Sequence, residues 1–164
     1  MAKSKKIVES RDEDLDIEFQ EENNIYLNTH ESINQNLCGE ILKLEAGYVE
    51  IELVTTEDML ADEMGLIHGG FIFSAADYAA MAAVNERNVV LVASECQFLS
   101  PVKLGDIVKI IAKVRHKEGR KRNVEVEGFA VDIKVFTGLF KTVITERHVL
   151  KLNLLDSAGE NNQK

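Results

Sequence analysis

An α+β fold, in which an antiparallel sheet curves around one apolar helix, is what this sequence predicts. Three observations point to it. The stretch "GGFIFSAADYAAMAAV", Gly69 to Val84, carries a single charged side chain, Asp77, among small and apolar residues that favour helix. A helix apolar on nearly every side must be covered nearly all round. Elsewhere, apolar residues alternate with polar ones at a period of two, the signature of strands with one wet face. Finally, the strand runs fall before and after the long helix instead of alternating with helices, which implies α+β.

In chain order, residues 1–24 read as a flexible acidic arm. Between Glu9 and Glu22 lie Glu9, Asp12, Glu13, Asp14, Asp16, Glu18, Glu21 and Glu22 against one Arg11. Residues 25–152 read as the folded domain and 153–164 as a polar tail. "NTHESINQNL", Asn28 to Leu37, predicts a short helix capped by Thr29. "CGEILKLEAGYVEIELVTT" predicts two strands about a turn at Gly47, with Val49, Ile51 and Leu53 alternating with Glu50 and Glu52. The apolar helix follows, from about Gly70 to Asn85. Four more strands are expected: Val89–Ser100, Asp106–His116, about Arg122–Ile133, and a closing strand in "KVFTGLFKTVITERHVL". In the third of these the apolar phase changes at Gly128, which suggests a bulge there and Phe129, Val131 and Ile133 on one face. "LSPVKLGD" and "KEGRKR" read as connections.

Composition narrows the function classes. The chain has 164 residues, 45% of them hydrophobic, and a formal charge of −9. That suits one domain with a real core and disfavours a nucleic-acid partner, which would need a concentrated basic face. Cys38 and Cys96 match no metal-ligand spacing, and no metal is expected. The opening Met-Ala-Lys-Ser-Lys-Lys has no apolar stretch behind it. The expectation is a cytoplasmic protein with reduced thiols and no membrane span, because the longest apolar run falls short of the roughly 20 residues required.

"HGGFIFSAAD", His68 to Asp77, resembles the signature of hotdog-fold acyl-CoA thioesterases, in particular the phenylacetyl-CoA thioesterase-like branch. The shared pattern is His-Gly-Gly, a few apolar residues, and a small-residue run ending in an acid nine positions after the histidine. "SECQFLSPVKLGDIVKIIAKVRHKEGRKRNVEVE" and "VFTGLFKTVI" are similar to the strand, turn, hairpin and closing strand of that family, so the likeness covers roughly residues 35–148. It implies a hotdog fold, a homodimer or a tetramer with a continuous sheet, and an acyl-CoA ligand entering at the dimer interface. No further cofactor is implied.

Thioester hydrolysis needs a nucleophile and a stabiliser for the carbonyl oxyanion. Asp77 can activate water or attack directly, and its apolar setting should raise its pKa. Gly69 and Gly70 open the helix, where unpaired N–H groups and the helix dipole attract negative charge. The resemblance makes one of these amides the oxyanion hole, with His68 positioning the loop. Phe71, Phe73, Tyr78 and Met81 are candidates for limiting the acyl chain. Lys103, with Arg120, Lys121, Arg122 and Lys117 of the basic run, is a candidate for the CoA phosphates, or a solvated hairpin tip. Many relatives place an asparagine six positions before the histidine; here Asp62 stands there, followed by Glu63. Glu63 either faces solvent or reaches the site as a second acid, where it would raise one pKa of the pair and repel a carboxylated acyl group.

Two other functions compete. A non-catalytic acyl-CoA sensor would bind without turnover. The regulators of lipid synthesis that contain hotdog domains resemble this chain in "VFTGLF", but they carry an amide at the position of Asp77. A dehydratase would need a histidine paired with an acid on another motif, which this spacing fits poorly.

Overall fold

A computed structural model describes residues 25–152. Six strands, β1 (Glu40–Glu45), β2 (Tyr48–Val54), β3 (Val89–Phe98), β4 (Ile107–Glu118), β5 (Lys121–Ala130) and β6 (Ile133–Ile144), form one sheet in the order β1-β2-β4-β5-β6-β3. Every pairing is antiparallel. A four-residue helix, α1 (Gln35–Cys38), precedes the sheet, and the long helix α2 (Gly69–Val84) lies on its concave face.

The period-two pattern explains which side faces inward. On β2, Val49, Ile51 and Leu53 are fully buried, while Glu50 turns outward and pairs with Lys109 of β4 at 2.8 Å. On β4, Val108, Ile110 and Ala112 are buried. Against them α2 buries Ile72, Ala75, Ala76 and the run Tyr78–Ala83. Alanines bring the helix close to the sheet, so the layers interdigitate at interior density. The helix stops at Asn85, whose left-handed backbone (φ 54) places its N–H on the carbonyl of Met81.

Four expectations are corrected. The helix over 28–37 is confined to Gln35–Cys38, and its cap is Asn34, which accepts from the N–H of Asn36 at 3.0 Å. Thr29 caps nothing: it is buried, and its hydroxyl pairs with Nδ1 of His30 at 2.8 Å. Helix cannot form here because His30 adopts φ 53, and the N–H of Asn28 is taken by the side chain of Asn85 at 2.7 Å. The bulge is present, as a register shift between Gly128 and Phe129, but the inward phase of β5 continues through Gly128 and Ala130, leaving Val131 exposed on the turn. Ile110 and Phe136 crowd Gly128, so a Cβ there would stand 3.0 Å and 3.1 Å from them. "KEGRKR" is mostly strand, with β4 and β5 running to a tight turn at Gly119 and Arg120. The closing strand ends at Ile144 rather than Leu150, where Thr145 turns the chain onto the carbonyl of Asn88.

The sheet has two unlike edges. β1 is short, carries Glu40, Lys43 and Glu45, and shifts register between Ile41 and Lys43. β3 is ten residues long with Glu95 as its one charge, and Val92 to Glu95 are exposed. Among the described residues no helix is long and apolar enough to cross a membrane. The proposed acidic arm (1–24) and polar tail (153–164) lie outside the described residues.

Candidate active site

The loop that delivers the start of α2 is tied on both sides. The N–H of His68 donates to the carbonyl of Met59 at 2.9 Å, and that of Ile67 to Val102 at 2.9 Å. Asp62 pins the turn from within, since its Oδ1 accepts from the N–H groups of Met64 (2.9 Å) and Leu66 (3.2 Å). An asparagine oxygen can accept those same bonds, so the acid at this position fills the Asx-turn role. Glu63 is exposed on that turn and does not line the cavity at Asp77.

His68 occupies the N-cap position of α2, yet no side chain caps the helix. The first-turn amides of Gly69 and Gly70 therefore stay available, in the positive field of the helix start. Both glycines sit close against aromatic side chains. A Cβ on Gly69 would stand 3.2 Å from the ring of Phe98, and one on Gly70 would stand 2.7 Å from Nε2 of His68. The His68 imidazole thus folds over Gly70, and Phe71 meets it edge-on at 6.1 Å.

Asp77 sits two turns further along α2. It lines a cavity of about 380 Å³ together with Thr29, His30, Met81, Arg87, His148 and the first residues of β3. Its Oδ1 is buried and has no hydrogen-bond partner among the described residues. Burial pushes its pKa up to about 6, so the carboxylate is poised to exchange a proton near neutral pH. His30, at the rim, is held below the ordinary imidazole value by partial burial.

Gly70 and Asp77 are separated by seven positions. They share a helix face but lie about 10 Å apart along its axis. The candidate anion site and the carboxylate are thus not brought together within one chain. The basic candidates are divided too. Lys103 bridges to Leu66 near the start of α2. Arg120, Lys121 and Arg122 sit on the β4–β5 turn, at the end of the sheet where β3 begins. Arg120 is paired with Glu146, and Arg122 donates to the carbonyls of Gly119 and Lys121. Of the residues expected to bound an acyl chain, Met81 lines the Asp77 cavity, Phe73 packs on Phe140 (5.5 Å), and Tyr78 is core. Sequence reasoning missed His30, Arg87 and His148, because nothing in their spacing ties them to Asp77. Among the described residues no group of three or more His, Cys, Asp or Glu is placed to hold a metal, and both cysteines are free, Cys38 bonding Ser74 at 3.2 Å.

A sheet wrapped about one helix, with glycine amides at its start and a half-buried acid beyond, defines a known class. The thioesterase superfamily model matches residues 64–137, from the loop before α2 to the middle of β6. Acyl-coenzyme A thioesterase PaaI of Escherichia coli is 31% identical over 123 residues, covering 71% of this chain and 82% of that protein. The crystal structure of uncharacterized protein PH1136 from Pyrococcus horikoshii is 43% identical with a TM-score of 0.76, covering 77% of this chain and 97% of that one. This chain belongs to the thioesterase superfamily, with the hotdog fold. Two further relatives are longer. Transcription factor FapR of Thermoanaerobacter (strain X514) is 30% identical over 116 residues, 70% of this chain and 58% of FapR. Methylthioribose-1-phosphate isomerase of Aquifex aeolicus is 52% identical over 117 residues, 71% of this chain but 26% of the isomerase.

Proposed function

We propose that this protein hydrolyses an acyl-CoA thioester, with Asp77 as general base or nucleophile and the amides of Gly69 and Gly70 as the oxyanion site. The observation that carries this reading is the unpartnered Asp77 carboxylate at a cavity, with a raised pKa, on the same helix as an uncapped glycine N-terminus. The likeness to PaaI supports the substrate class. Lys103, Lys121 and neighbouring Arg122 are the proposed phosphate contacts, with His68 and Phe71 shaping the entrance.

The same geometry favours a homodimer. A reacting carbon must lie about 3 Å from both the attacking oxygen, held by or belonging to Asp77, and the oxyanion donors. Sites about 10 Å apart on one helix cannot meet that condition alone. Two chains can meet it by pairing along β3, so that one supplies the glycines and the other Asp77. The long, nearly uncharged β3 edge supports this arrangement.

The test is thiol release from short, medium, long and aryl acyl-CoAs by the native chain and by Asp77→Asn. Turnover of at least one ester is expected, with kcat reduced about 100-fold or more in the variant while acyl-CoA binding persists. No turnover across the panel by a folded chain would overturn the proposal. A second reading is a non-catalytic acyl-CoA sensor, favoured by the likeness to FapR. Tight binding by calorimetry with no hydrolysis would select it.

A further inference from the structure

The Asp77 cavity lies toward the end of α2, and two others adjoin at its start. One, of about 290 Å³, begins at Gly69 and is walled by Ile67, Ile72, Phe98 and Leu99. The other, of about 620 Å³, is walled by Met64 and by the β5–β6 turn, with Ala130, Val131 and Ile133. Leu66, Ser100, Pro101, Val102 and Val135 line both. The two therefore form one groove, leading from the proposed oxyanion amide out to the turn. Its lining is almost wholly apolar. Its charged side chains, Lys103 and Asp106, belong to the outer cavity, where the carboxylate of Asp106 accepts from the N–H of Lys103 at 3.0 Å.

Backbone ties hold the groove in shape. The N–H of Ile67 donates to Val102 at 2.9 Å and that of Leu104 to Gly65 at 2.8 Å, joining the loop before α2 to the segment after β3. The N–H of Leu99 donates to Val135 at 2.8 Å and fastens that segment to β6. These ties leave apolar surface open to water: Met64 is 88% exposed, Val131 89% and Ile133 60%. Val131 also adopts φ 55, where a β-branched residue is an outlier and glycine is the usual occupant. With its side chain in solvent, the fold gains little packing from it. Such strain is kept at sites where a ligand is gripped. A preformed apolar groove that starts at a reacting centre has the character of a ligand site.

We infer that this groove takes the acyl chain, and that the substrate is a medium- or long-chain fatty acyl-CoA in place of a short, aryl or carboxylated one. The inference rests on the thioesterase reading, with Gly69 at the carbonyl, and names its substrate class. Two arms leave a thioester carbon. The pantetheine arm carries two amides and a hydroxyl, each costly to bury without a partner. The hydrocarbon arm has no such groups, and every methylene it buries adds affinity. The Asp77 cavity is mixed in character, with Thr29, His30, Arg87 and His148 on its lining, and Lys121 and Arg122 lie at that end of the sheet. The polar arm suits that end and the hydrocarbon arm suits the groove. Lys103 at the groove's mouth gives the competing assignment, in which the pantetheine arm lies there and a phosphate meets the ammonium.

The experiment is a kinetic series of straight-chain acyl-CoAs from butyryl to palmitoyl. For the wild type, kcat/KM should rise about threefold per added methylene until the groove is full, then level. Ile133→Asp sets a carboxylate on the exposed wall, and the ratio of kcat/KM for dodecanoyl-CoA to that for butyryl-CoA should fall about tenfold or more. Val131→Gly suits the turn and removes the side chain. It should lower the same ratio severalfold while melting no lower than the wild type. By calorimetry on Asp77→Asn, adding Ile133→Asp should weaken dodecanoyl-CoA more than CoA alone. A flat or falling chain-length profile, or an unchanged ratio in both variants, would overturn the inference. Equal weakening of CoA alone would give the groove to the pantetheine arm, and a changed oligomeric state at constant ratio would give it to a second copy; either overturns it. A wild type that hydrolyses no acyl-CoA, yet binds dodecanoyl-CoA more tightly than butyryl-CoA, would remove the thioesterase reading and leave the groove assigned to a fatty chain. Absence of both turnover and chain-length-dependent binding would remove both.

Discussion

Asp77 illustrates how one side chain can be costly to the fold and useful to the chemistry. Its folded pKa of about 6 lies above the ordinary carboxylate value. The native state therefore binds the proton more tightly than the unfolded chain, and stability falls as pH rises from about 4 to about 6. The penalty is absent below that window and full above it. Asp77→Asn carries no such charge, so its melting temperature should exceed that of the wild type at pH 8, with the gap closing by pH 4. An equal gap at both values would mean that burial does not perturb this carboxylate. Activity should move oppositely in the wild type, with kcat/KM rising through about pH 6 as the base ionises. The raised pKa was legible in the sequence, since an acid flanked by alanine and tyrosine has little water available. The cavity that gives it a role was not, because Thr29, His30 and His148 reach it only through tertiary packing.

The helix and strands show where local pattern suffices. Alternation located β2 and β4 because each has one face against α2 and one in water. It failed for residues 28–34 because His30 takes a left-handed backbone and the N–H of Asn28 is held by Asn85 on another element, which no local period encodes. It also failed at Gly128, where a bulge changed the pairing with β6 without turning β5 over. The Asn85 clamp, in which Oδ1 accepts from the N–H of Asn28 and Nδ2 donates to the carbonyl of Tyr26, can be separated from its capping role. Asn85→Gly retains the left-handed turn but loses both side-chain bonds, and should destabilise by about 1–2 kcal/mol in urea. Asn85→Ala adds backbone strain of roughly 1 kcal/mol. Both should speed proteolysis near Tyr26, and equal stability of wild type and Asn85→Gly would show that the segment is not held by this side chain.

Across the whole molecule, the separation of Gly70 from Asp77 turns a question about chemistry into one about assembly. The fold was legible because a greasy helix with few faces to spare admits few coverings. Which edge a second chain would use was not, since that depends on which strand remains open after folding. On the dimer reading, Val92→Lys with Ala93→Lys places like charges along the exposed middle of β3. The double variant should elute as a folded monomer and lose thioester hydrolysis together with the dimer. A wild type that is monomeric by light scattering, yet active, would refute the two-chain site. The unlike borders of the sheet carry one more implication. A molecule adhesive along both margins would string together without end, whereas here the opposite margin is kinked and studded with acids and a lysine. On the dimer reading, joining through β3 about a two-fold axis would use up the more open border of the described sheet, so growth would halt at a pair.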